Sequence, residues 1–99
     1  MAEGIFVVIG TERPDGKPPL AYLARQDEHG LTYVGSAFVT LPGKDRDRFW
    51  SRTKELATER PVNPSRSRKV TWCRPELTVR ARYLRGAGMI RHATVKAVV

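Results

Sequence analysis

Ninety-nine residues, 40% of them hydrophobic, fill one modest core and leave no material for the deep two-domain cleft in which most nucleotide-using enzymes work. A single cysteine, Cys73, excludes an internal disulfide and a multi-thiolate metal site, and His29 and His92 lie too far apart to share ligand spacing, so no metal is expected. The net charge of +8 is unevenly spread: from Arg60 onward ten basic residues face one acid, Glu76, whereas residues 1–59 carry eight basic and nine acidic residues. Such polarity on a small domain is the electrostatic footprint of a polyanion binder. The longest apolar run, Ile5 to Ile9, is too short to span a bilayer, and the chain opens with neither a basic stretch nor a small-residue cleavage site. A soluble cytoplasmic protein with no membrane partner is expected.

Ile5 to Ile9 is β-branched and aromatic throughout, which predicts a strand buried on both faces and ended by Gly10. Residues 13–19 are turn chemistry, rich in proline and glycine. Leu20 to Gln26 and Leu31 to Val39 read as two strands joined by a tight turn over Asp27-Glu28-His29-Gly30, a hairpin. Pro42 suits the first turn of a helix, with Asp45 and Asp47 near its positive end. Phe49, Thr53, Leu56 and Ala57 recur on one helical face, Lys44, Arg48 and Arg52 on another, and the helix is expected to end near Thr58.

Residues 59–69 read as an exposed basic loop carrying Arg66, Arg68 and Lys69. Strand pattern then resumes. Val70 and Trp72 alternate with Thr71 and Cys73, Arg74-Pro75-Glu76 is expected to interrupt, and Leu77, Val79, Ala81 and Tyr83 alternate with Thr78, Arg80, Arg82 and Leu84. That second segment has one apolar and one largely cationic face. Residues 85–88 turn the chain into a last strand, Met89 to Val99. Three strands, a helix and two or three strands predict a mainly β, single-domain fold over residues 1–99. It is a small closed barrel with one helix between its third and fourth strands, the OB architecture, which presents a strand face and loops to oligonucleotides.

In this frame Arg66, Arg68 and Lys69 are candidates to track a phosphate backbone, and Arg80 and Arg82 are candidates to meet it from a barrel face. The helical cations have the look of a solvated face. Tyr22, Tyr33, Trp50, Trp72 and Tyr83 are possible stacking platforms for bases, though the alternation places Trp72 in the core. Cys73 reads as a small buried hydrophobe, not a nucleophile.

Three segments resemble, in order and spacing, elements of one family. They are Leu31-Thr32-Tyr33-Val34-Gly35-Ser36-Ala37-Phe38, then Trp72-Cys73-Arg74-Pro75-Glu76-Leu77, then Ile90-Arg91-His92-Ala93-Thr94-Val95-Lys96. Together they resemble the C-terminal OB domain of bacterial ATP-dependent DNA ligases, most closely the type associated with double-strand break end joining. The resemblance implies a role in DNA repair. Such a domain grips nicked or intact duplex DNA and assists nucleotidyl transfer by a separate catalytic domain, in cis or in trans. ATP and magnesium are then implied for the parent ligase, with no cofactor held by this chain alone.

By the same resemblance Arg91 and Lys96 face the nucleotide phosphates, while Ala93 and Val95 stand where Pro and Phe are expected. The Lys-x-Asp-Gly tetrapeptide that holds the ligase nucleophile is absent. No catalytic residue is therefore expected in this chain. Two other classes fit the same charge pattern: a protein-interaction module docking on a ligase catalytic domain, and a general single-stranded nucleic-acid binder. Five positions separate Arg91 from Lys96, so a regular strand would put them on opposite faces, and a bulge near Ala93-Thr94 is needed to bring both to one surface.

Overall fold

The computed structural model describes residues 1–60, 69–86 and 88–99. Among them lie five strands and one helix: β1 (Ala2–Glu12), β2 (Leu20–Asp27), β3 (Gly30–Val39), α1 (Gly43–Glu55), β4 (Thr71–Arg85) and β5 (Ile90–Val98). The strands close into a barrel in the order β1-β2-β3-β5-β4, with β4 returning to β1. Neighbours are antiparallel except β3 and β5, which run parallel. This is the expected OB-like architecture, with the helix between the third and fourth strands.

Alternation builds the core. Phe6 and Val8 of β1, Leu23 of β2, Val34 and Ala37 of β3, Val79 and Ala81 of β4, and Ala93 and Val95 of β5 all point into the barrel. A second apolar cluster lies on the outside. There Ile9, Tyr22, Ala24 and Val70 are buried, with Leu31, Tyr33 and Trp72 packed against them. Of the run expected to be buried on both faces, Phe6 to Ile9 are, because the outer side of β1 is covered too, whereas Ile5, on the outer side opposite Arg80, is 55% exposed.

Several expectations about element ends need correction. Gly10 does not terminate β1. The strand continues to Glu12, and the register with both neighbours shifts between Val8 and Gly10. Glycine is needed there because a Cβ would sit 2.8 Å from a Val70 methyl carbon. The tight turn over residues 27–30 is as expected, with Asp27 pairing with Gly30 and Glu28 and His29 between them.

α1 stops at Glu55, three residues short of Thr58. The Leu56 and Ala57 amides fold back onto the Arg52 and Lys54 carbonyls, and Ala57 then forms a β-bridge with Cys73. Bridge formation takes the backbone that the helix would have used. Pro42 sits at the N-cap in extended conformation, not within the first turn. Phe49, Thr53 and Leu56 are buried as the helical period requires, so α1 plugs one end of the barrel. Ala57, past the helix end, is exposed.

Arg74-Pro75-Glu76 does not interrupt β4, which runs through it. What breaks is the ladder. Leu77 pairs with Val8 and Trp72 with Gly10, so residues 73–76 bulge opposite Ile9. Pro75 has no N–H to give a ladder. The Arg74 amide instead donates to the Leu56 carbonyl at 2.8 Å, and the Thr58 amide to the Trp72 carbonyl at 3.0 Å. The bulge is therefore pinned to the end of the helix.

Candidate nucleic-acid interface

The outer face of β4 carries Thr78, Arg80, Arg82 and Leu84, because Leu77, Val79 and Ala81 are committed to the core. The antiparallel register sets Glu3 of β1 directly opposite Arg82, and Ile5 opposite Arg80. One carboxylate consequently serves two guanidinium groups. Glu3 Oε1 lies 3.3 Å from Arg80 Nε, and Glu3 Oε2 lies 3.6 Å from Arg82 Nη2. All three side chains are 43–50% exposed, so each pair is worth about 0–1 kcal/mol. The trio keeps a net positive charge, and a phosphate competes with Glu3 at little cost.

β5 adds two more cations. Arg91 pairs with Leu84 and Thr94 with Arg82, so Tyr83 alone opposes His92 and Ala93. The extra residue is absorbed at His92, whose φ of 49° lies in the left-handed region. Histidine is among the residues that tolerate this conformation best. Beyond the bulge, Ala93 and Val95 point inward like Ile90, and Arg91 and Lys96 are both exposed. A bulge thus brings the two cations to the outside of the barrel, centred one residue earlier than the sequence suggested. A second shift leaves Lys96 as the extra residue opposite Arg80 and Ala81.

Lys69 is exposed and sits just ahead of β4, beside the helix end. Arg66 and Arg68 fall outside the described residues. Lys44 and Arg48 are exposed on the helix surface, and Arg52 pairs with Glu55 at 3.4 Å. These helical cations form a solvated face.

None of the five singled-out aromatics stands open to solvent. Tyr22 is buried and donates from its hydroxyl to Glu12 Oε1 at 2.6 Å, and Tyr33 packs 6.2 Å from it. Trp72 covers the outer cluster and Tyr83 meets Phe6 edge-on at 5.6 Å. Trp50 carries the Arg13 guanidinium 3.8 Å from its ring centre, a contact to which nothing in the sequence pointed. Cys73 is buried and its thiol donates to the Val8 carbonyl at 3.4 Å. Burial pushes the thiol up to about 11, so it stays neutral and weakly nucleophilic near pH 7. Among the described residues no group of three His, Cys, Asp or Glu side chains is placed to hold a metal, and no helix is long and apolar enough to cross a membrane.

The three segments singled out in the sequence converge in space. Residues 31–38 form most of β3, residues 72–77 the bulged start of β4, and residues 90–96 most of β5, and these three strands are consecutive in the ring. No protein-family model matches the chain, and no curated protein matches it. Solved structures do. A mycobacterial DNA ligase D, complexed with ATP and MES, superposes over 99% of this chain with a TM-score of 0.75 and 19% identity. The ligase domain from M. tuberculosis LigD superposes over 98% with a TM-score of 0.73 and 18% identity. The likeness is one of fold. This chain spans about a third of each matched structure, 34% and 35%.

Proposed function

We propose that this chain is a DNA-gripping OB module related to ATP-dependent DNA ligases, of the kind used in bacterial end joining. The observation that carries the reading is the likeness of the whole barrel, over 99% of its length, to a DNA ligase D. The β4–β5 face supports it, with Arg80, Arg82, Arg91 and Lys96 outward and Glu3 the acid paired among them. Arg80 and Arg82 meet backbone phosphates of nicked or intact duplex. Such contacts set position and carry little base readout.

Catalysis belongs to a separate nucleotidyltransferase domain, in cis or in trans, which binds ATP and magnesium. Arg91 and Lys96 face the nucleotide phosphates of that domain and assist nick sealing by charge placement. Lys69, Arg66 and Arg68 extend the DNA-binding charge.

The test is fluorescence anisotropy of a labelled nicked duplex at several salt concentrations. With about four to six phosphates neutralised, log affinity falls against log salt with a slope of about −3.6 to −5.4. A slope near zero overturns the reading. Preference for unpaired over duplex substrate would favour a single-strand binder in its place.

A further inference from the structure

A cleft of about 860 Å³ lies between α1 and the barrel, where β1 leaves and β4 enters. Asp47, Trp50 and Lys54 line it from one face of the helix, Arg13 from the end of β1, and Lys69 and Thr71 from the start of β4. Three cations thus converge on a concave surface against one carboxylate. The Arg13 guanidinium carbon lies over the Trp50 ring, 3.8 Å from its centre, and Arg13 makes no ion pair among the described residues. A cation–π contact of this kind holds the guanidinium in place while its N–H groups remain donors, an arrangement suited to phosphate oxygens. Thr71 adds a hydroxyl on the same wall. The cleft is at the helix-plugged end, whereas Arg91, the second residue of β5, lies opposite Leu84 near the other.

We propose that this cleft is a phosphate-binding site, with Arg13 and Lys54 as its principal anion-facing groups and Lys69 and Thr71 beside them. The phosphate is a diester of a nucleic-acid strand, which rests on the DNA-binding reading, or the monoester of a free nucleotide. In either case a second anchor sits apart from the β4–β5 face. A strand held at both ends of the barrel is fixed in direction as well as position, which one basic face alone does not achieve.

Nitrogen–proton NMR on the full chain tests this, reading the Trp50 indole and Arg13 Nε–H signals. The probes are a short nicked duplex, AMP and inorganic phosphate, each titrated separately. The duplex is expected to shift both signals saturably. Arg13→Gln and Lys54→Gln, both at exposed positions, should each weaken that response about tenfold, the usual loss for one charge-assisted contact. Arg13→Lys keeps the charge and should also weaken it, because a lysine lacks the planar fork. Shifts with AMP or phosphate but not with duplex support the cleft and assign it to free nucleotides. If no probe moves the Trp50 or Arg13 signals, the site is refuted, even where duplex perturbs Arg80 and Arg82 and leaves the DNA-binding reading intact. If duplex perturbs no residue while AMP shifts Trp50, the DNA-binding reading fails and the cleft stands.

Discussion

Glu3 divides one carboxylate between Arg80 and Arg82 across the β1–β4 ladder. Because all three groups are half exposed, the pairs add little to stability, and the acid mainly lowers the positive potential of the face. Glu3→Gln should therefore tighten duplex binding by about two- to fivefold while changing unfolding stability by no more than about 1 kcal/mol. Anisotropy and urea unfolding check both halves, and weaker DNA binding would show that Glu3 positions the arginines. The outward orientation of Arg80 and Arg82 was legible in the sequence, since strand alternation needs only local pattern. Their partner was not, because Glu3 meets them only through a register closed across almost the entire chain. Arg13 over Trp50 was equally hidden: nothing local ties a turn residue to a helix face.

At the scale of elements, α1 stands out as a stopper. Phe49 is fully buried and meets Trp50 edge-on at 4.9 Å, and Leu56 closes the same end. Phe49→Ala should cost about 3–5 kcal/mol, read as a lower midpoint in urea. A change below about 1 kcal/mol would mean the barrel end is sealed without it. The helix and its apolar face could be read from period alone. Its true end could not, because the Ala57–Cys73 bridge and the Arg74 amide to the Leu56 carbonyl are tertiary events. Pro75 signalled a break in β4, and the break came in the ladder while the chain ran on. The β5 bulge was foreseen from a functional demand on Arg91 and Lys96. Its seat at His92 depends on which residue takes a positive φ, and that is settled by packing of Ala93 into the core.

For the molecule as a whole, the order of elements sufficed to place the barrel, since three strands, a helix and two strands leave few ways to close. The proposed function rests on where the charges gather, and there the β4–β5 face makes a discriminating prediction. In this chain fused to a ligase catalytic domain, Arg91→Ala and Lys96→Ala should lower enzyme adenylylation about tenfold or more, at roughly 1.5–3 kcal/mol per lost phosphate contact. Arg80→Ala should weaken DNA binding and leave adenylylation nearly intact. Labelled-ATP incorporation and anisotropy on the same proteins check this. Equal loss of DNA affinity in all three, with adenylylation untouched, would reduce Arg91 and Lys96 to members of one basic face.

Ring closure also governs how the chain is made. β1 pairs with β4 from Ala2 opposite Tyr83 to Thr11 opposite Thr71, and β3 finds β5 only after that. A chain emerging from the ribosome can form β1, β2 and β3 early, yet β1 and β3 both remain open edges until β4 and β5 arrive. Strands with unpaired edges invite pairing with other chains. Synthesis rate past residue 71 thus sets how long the nascent sheet stays adhesive, and slowing translation there would raise the yield of insoluble chain without altering the finished barrel.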